Sequence, residues 1–235
     1  MPINIARFNP LKAEPAHEGT IIGCDVLPEG MSAPFEHFYG YLDKPGTAMA
    51  GHSHPTDEIY IVLFGAGIVI VGGENRNVKA GDTVVIPAGS WHTMLCPENG
   101  AAPMLWAAFW WEKTDFDNER DKAARTGVHT WRFDKGRAQK GHNDTILADI
   151  IVPGVIAPPF GHAYGYLENG GSMEAHSHPT SELYIVYSGG GVVTVGDETR
   201  EIGPGDVIQI PPGKQHSMTE QGDGALLWAA FWWEV

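Results

Sequence analysis

The chain has 235 residues, 43% of them hydrophobic and 10% aromatic, and carries a formal net charge of −14. That supports one large β-rich domain or two compact ones, and the charge repels phosphate backbones and anionic lipid surfaces, so neither nucleic acid nor a membrane is expected as partner. The two cysteines, Cys24 and Cys96, form no CxxC pair, so a reducing compartment is expected and a disulfide framework is not.

The opening MPINIARFNP has no apolar core of a leader, and no apolar run reaches membrane-spanning length, so a soluble, cytoplasmic protein is expected. The first clear strand is HFYGYL at 37–42. Its alternation puts His37, Tyr39 and Tyr41 on one face, at the mouth of a barrel or at a domain interface. Next comes AGHSHPTDEIYIV at 50–62, then apolar runs punctuated by glycine up to Gly73. GDTVVIPAGSWHTM from Gly81 reads as a strand entered through a Gly-Asp turn, and WAAFWWE at 106–112 reads as bulk for core and interface. Eight of the fifteen Lys and Arg then fall between Lys113 and Lys140. This charged stretch marks a connector, with a short helix expected over 116–125 capped by Thr114 or Asp115, and with Trp131 and Phe133 as anchors.

Beyond the connector the elements return in order. HAYGYL occupies 162–167, and HSHPTSELYIV at 176–186 differs from HSHPTDEIYIV at 52–62 only at two positions. GDVIQIPPGKQHSM starts at Gly205, and WAAFWWE recurs whole at 228–234. A long repeat of this kind predicts two domains of similar build. The boundaries are 1–113 and 146–235, with 114–145 between them. Short strands at even spacing, separated by Gly and Pro, predict an all-β sandwich or barrel for each.

The repeated histidines carry the chemistry. On a strand, residues i and i+2 share a face, so His52 and His54 present both imidazoles to one side, as do His176 and His178. Glu58 and Glu182 follow four residues on. A distal His, His92 or His216, ends each PxGxxH turn. One His-x-His pair is often a solvated or satisfied pair, but eight of the eleven histidines fall at matched positions, each pair with its carboxylate. Three imidazoles and one carboxylate suit a divalent Mn, Fe, Co, Ni or Zn, with open positions left for a ligand. Strand parity also turns Tyr60 and Tyr184 towards the metal, as core aromatics or as phenols that touch a bound substrate. Phe64 in the first copy corresponds to Ser188, and Cys96 to Glu220. The second pocket is therefore expected to be roomier and more polar, with Glu220 either a candidate acid or base, as Tyr60 and Tyr184 are, or a solvated residue at a strand end.

The spacing Gly46–His52–His54–Glu58–Gly65, repeated as Gly170–His176–His178–Glu182–Gly189, resembles the first cupin motif. Gly81–Pro87–Gly89–His92 and Gly205–Pro211–Gly213–His216 resemble the second. The chain is thus similar to a bicupin, departing from the pattern where motif two often ends in Asn and this chain has Cys96 and Glu220. The resemblance implies two tandem double-stranded β-helix (jelly-roll) barrels, each holding a metal ion. It also implies activities that run from oxygenases and decarboxylases to isomerases, lyases and non-catalytic proteins, among which fold does not choose.

The reading favoured is a metal-dependent, dioxygenase-like oxidoreductase acting on a small carboxylate, enolate or hydroxy-keto compound. Fe or Mn is preferred in each domain over Zn, Ni or Co. A non-redox isomerase or lyase on a sugar or keto acid is the alternative, and a metal-dependent small-ligand binder the third. No Arg stands beside either His-x-His pair, which counts against oxalate-type decarboxylation. Exposed β-edges and abundant Trp are compatible with a homodimer.

Overall fold

The computed structural model describes residues 3–100, 102–112, 127–152, 154, 156–222 and 224–235. The helix expected at 116–125 lies outside them, and no helix occurs among the described residues. Each half of the molecule is a seven-stranded antiparallel sheet facing a four-stranded one. In the first half the large sheet runs His129–Arg132, Asp82–Ile86, Thr56–Phe64, Met104–Glu112, Glu36–Leu42, Ile21–Gly23, Glu14–Ala16. The second repeats this order as Ile5–Arg7, Asp206–Ile210, Ser181–Ser188, Leu226–Trp233, Gly161–Leu167, Ile146–Asp149, Gln139–Gly141.

Sheet membership crosses the expected domain boundaries. Ile5–Arg7, at the start of the chain, pairs with Asp206–Ile210 of the second half, while His129–Arg132 from the connector pairs with Asp82–Ile86 of the first. Each exchanged strand ends in an arginine on a matched aspartate. Arg7 Nε donates to Asp206 Oδ1 at 2.8 Å, and Arg132 Nε to Asp82 Oδ1 at 2.8 Å. The anchors expected in the connector are in place: Trp131 Nε1 donates to Ile150 O at 3.0 Å, and Phe133 stacks on Tyr166 at 5.0 Å.

The central strands are apolar on both faces because both faces are buried, and alternation sorts them. Tyr60, Val62, Trp106 and Ala108 fill the interior of the first barrel. Ile59, Ile61, Ala107, Phe109 and Trp111 point the other way, into a cluster shared with Leu183, Ile185, Phe231 and Trp233 of the second half. Burial of each large side chain there contributes about 1.5–3 kcal/mol. Phe35 meets Phe160 at 4.9 Å, and Phe109 meets Phe231 at 5.2 Å. The stripe His37–Tyr39–Tyr41 and its copy therefore send Tyr39 and Tyr164 to this interface.

Candidate metal centres

Each cage is assembled where strand pairing and a turn converge. His52 and His92 form an antiparallel bridge, with His52 N donating to His92 O at 3.1 Å and His92 N to His52 O at 2.8 Å. His176 and His216 are register partners in the same way. Gly89 and Gly213 have φ of 80° and 71°, in the left-handed region open to glycine. That geometry aims their N–H groups at the carbonyls of His54 and His178, each at 2.8 Å. The Pro-x-Gly turn is thereby locked to the His-x-His strand.

All six imidazoles are oriented alike. Nδ1 lies against a backbone carbonyl in every case. The carbonyls are Ala50 at 3.2 Å, Thr56 at 3.1 Å and Ser90 at 2.9 Å in the first half. In the second they are Glu174 at 2.9 Å, Thr180 at 3.1 Å and Lys214 at 3.0 Å. A carbonyl only accepts, so in His52, His92, His176 and His216 Nδ1 carries the proton and Nε2 keeps the lone pair that a metal would take. His54 and His178 differ: Nδ1 also meets a threonine hydroxyl, Thr56 Oγ1 at 2.7 Å or Thr180 Oγ1 at 2.8 Å, and Nε2 donates to the carboxylate. The nitrogens of His52, His54 and His92 lie within 4.8 Å of one another, as do those of His176, His178 and His216.

Glu58 and Glu182 complete the cages. Glu58 Oε2 is 3.1 Å from His54 Nε2 and 3.2 Å from His92 Nε2. Glu182 Oε2 is 2.9 Å from His178 Nε2 and 3.2 Å from His216 Nε2. The contacts to His92 and His216 lack hydrogen-bond alignment, and these Nε2 atoms, with that of His176, are buried without a hydrogen-bond partner. Burial drives the Glu58 carboxyl up, but the hydrogen bond from His54 and the close approach of His92 outweigh it and hold the group below the usual carboxylate range. The same opposition leaves Glu182 at about 2. The hydrogen bond to the carboxylate in turn pushes His54 and His178 up. Buried lone pairs without donors beside an ionised carboxylate form a place that favours a cation, and the donor set fits a divalent transition metal.

Tyr60 and Tyr184 stand edge-on to His92 and His216 at 6.0 Å. Burial first, then the charge of Glu58 or Glu182 and a hydrogen bond to it, push both phenols well above their ordinary range. They remain protonated beside the carboxylates. Glu220 is elsewhere. It is buried, but its oxygens accept from the N–H groups of Gly170 and Gly222, each at 2.5 Å. It joins two loops and is not among the residues that line the cavity, so the structure gives no support to its reading as an acid or base.

Above each cage a cavity opens. The first, about 350 Å³, is walled by Ile21, Phe38, Met49, Tyr60, Trp106 and Trp110. The second, about 200 Å³, is walled by Ile146, Ala163, Met173, Tyr184, Trp228 and Trp232. The larger space is in the first half, opposite to the expectation. Phe64 and Ser188 line neither cavity: a bulge shifts the register just before each, and both end up exposed. No Lys or Arg occurs among the described residues of either wall.

Two further histidines were missed in the sequence. His17 reaches the first cavity with its ring 4.5 Å from that of His52, and His142 the second, 4.1 Å from His176. The signal was His-x-x-Thr, present as HEGT at 17–20 and HNDT at 142–145, 125 residues apart. Ten of the eleven histidines are thus matched.

The family model described as Cupin domain matches residues 41–108 and again 164–233. The chain belongs to the cupin family. Among solved structures, salicylate 1,2-dioxygenase of Pseudoaminobacter salicylatoxidans superimposes with a TM-score of 0.72 at 15% identity, over 98% of this chain and 82% of that one. The oxalate decarboxylase of Bacillus subtilis, a protein with Mn(II) centres, gives 0.63 at 16% over 98% and 77%. A cupin 2 conserved barrel domain protein from Leptotrichia buccalis gives 0.64 at 14% over 98% and 97%. At these identities the likeness establishes the shared bicupin fold. A protein of Sinorhizobium fredii is 33% identical over 73 residues, which is 31% of this cupin and 34% of that relative's length. No helix among the described residues is long and apolar enough to cross a membrane.

Proposed function

We propose that this cupin is a metal-dependent enzyme that binds a small oxygen-rich molecule above its cages, with dioxygenase-like oxidation as the reaction. One observation carries the metal reading: in each half three imidazoles, each with Nδ1 against a carbonyl, bring ring nitrogens within 4.8 Å of one another, two of the three beside a buried, ionised carboxylate. His52, His54, Glu58 and His92 would hold one ion, and His176, His178, Glu182 and His216 the other. Fe or Mn in these cages would supply Lewis-acid and one-electron chemistry to an oxygen-donor ligand. The dioxygenase structure among the neighbours supports the oxidative choice, and walls without Lys or Arg support it over a carboxylate-clamping decarboxylase.

The protein's own groups set the conditions for that chemistry. The carbonyl anchors hold each imidazole at one tautomer and angle. Tyr60 and Tyr184 keep a proton on Oη beside Glu58 and Glu182. Trp106 and Trp228 lie flat over Gly40 and Gly165, where a Cβ would approach each indole to 2.2 Å. Both are buried and give each cavity an apolar floor.

The test is O₂ consumption by Fe(II)- or Mn(II)-loaded protein against small hydroxyaromatic acids, enols and dicarboxylates. Uptake matched to substrate loss and weakened in His178→Ala is expected. Turnover without O₂ would replace this reading with an isomerase or lyase. Binding without turnover would make the protein a non-catalytic binder.

A further inference from the structure

We propose that His17 and His142 are ligand-holding residues, each standing on the open side of its cage and hydrogen-bonding an oxygen of the small molecule bound there. The inference rests on the cages being metal sites. Both rings line their cavities. Neither belongs to the group of nitrogens that converge within 4.8 Å. Among the described residues neither imidazole has a hydrogen-bond partner, whereas all six cage imidazoles do. These two rings are placed beside the centre yet left with a free donor and acceptor.

The backbone that presents them is strained in the same way twice. His17, Glu18 and Gly19 have φ of 47°, 60° and 78°; His142, Asn143 and Asp144 have 48°, 54° and 67°. Left-handed φ is costly for L side chains, two in succession in the first copy before Gly19 and three in the second, and such strain persists where the surroundings over-determine it. One threonine does so in each copy. Thr20 Oγ1 donates to His17 O at 2.6 Å and accepts from Ala50 N at 2.7 Å. Thr145 Oγ1 donates to His142 O at 2.6 Å and accepts from Glu174 N at 3.1 Å. The carbonyls of Ala50 and Glu174 are those that receive Nδ1 of His52 and His176. A single residue, Ala50 or Glu174, thus ties the hairpin to the cage. A histidine that merely covered surface would need neither the left-handed turn nor the tie.

The ligand class follows: a small molecule with two oxygen functions a few ångströms apart, one for the cation and one for the hairpin imidazole. Acetohydroxamate, a bidentate oxygen chelator, is a suitable probe, titrated into Co(II)-loaded full-length protein and followed by visible absorption. Wild type should hold two equivalents of cobalt and bind the probe at both. His17→Ala and His142→Ala should each keep two equivalents but weaken one of the two binding events roughly tenfold, the size of one hydrogen bond. The double variant should weaken both, and His17→Gln, which keeps a donor and an acceptor, should recover part of the loss. Unchanged affinity in the double variant would overturn the proposal, because the rings would then only pack. Loss of one cobalt equivalent in a single variant would also overturn it, because the ring would then be a metal ligand. Failure of wild type to take up cobalt would remove the metal reading itself, and the proposal with it.

Discussion

The two cages match group for group, down to the carbonyl behind each Nδ1, while the walls above them do not. The differences come in pairs. In the first half Phe38 lies over Gly23, where a Cβ would stand 2.2 Å from its ring; the second half has Ala163 and Ala148 at these places. In the second half Trp232 lies over Gly161, with 2.1 Å to a would-be Cβ; the first half has Glu36 opposite Trp110. Glu36 denies Trp110 the seat that Gly161 gives Trp232, consistent with the larger first cavity. The two halves share the cage geometry and differ in the cavity walls, one large-over-small contact at a time. The two sites are therefore expected to prefer different ligands at similar metal affinity.

The comparison breaks first at the carboxylates. Glu58→Gln and Glu182→Gln should each lower metal affinity at one cage by more than about tenfold and leave the other unchanged, measured by competition with a chromophoric chelator. Unequal losses would show that the cages are less alike than their geometry.

A second comparison concerns acid, where burial lowers both His37 and its counterpart His162, and each accepts a backbone N–H at Nδ1. Burial pushes His162 down to about 4 from an ordinary value near 6.5, while its Nδ1 accepts from Val152 N at 3.4 Å. A depressed histidine contributes stability that is present above the unfolded value and is lost as pH falls through about 6.5 towards 4. The loss is about 3 kcal/mol at most. Denaturant titrations between pH 7 and pH 4 should show it, and His162→Asn should flatten that dependence.

The walls can be exchanged. Gly161→Glu should displace Trp232, destabilise by about 1–3 kcal/mol through overpacking, and admit larger apolar chelators to the second site. Unaltered ligand size preference would show that this contact does not set the cavity.

The interface offers the smallest change. Thr83 joins Tyr164 at 2.7 Å and Tyr187 at 3.3 Å in a buried network. At the matched place Tyr39 Oη is buried without a partner, and Thr83 and Tyr187 are replaced by Val207 and Leu63. Thr83→Val should cost about 1–2 kcal/mol, and Val207→Thr should be neutral or stabilise by less than about 1 kcal/mol. Thermal denaturation decides both.

The cage residues were legible because metal ligation demands fixed residue types at fixed spacing, and the repeat displayed that spacing twice. Strand parity likewise put Tyr60 beside Glu58 without coordinates. The exchange of Ile5–Arg7 was not legible, since a three-residue strand has no periodicity and its partner lies some two hundred residues away. Glu220 misled because the expected strand alternation says nothing about loop N–H groups, which claim its oxygens. His17 and His142 were visible as a repeated His-x-x-Thr, but strands of three and four residues on either side gave no reason to place that turn over the metal. The relative size of the cavities was decided by which glycine sits under which aromatic ring, a contact between strands.

The central claim is one divalent transition metal in each cage, held by the residues named. Its most direct test is elemental analysis of protein purified without chelator, as wild type and as His54→Ala and His178→Ala. About two equivalents of Fe or Mn in wild type, falling to about one in each variant, is the predicted result. Unchanged metal in the variants, or none in wild type after reconstitution, would contradict it and leave the repeated histidines as architecture.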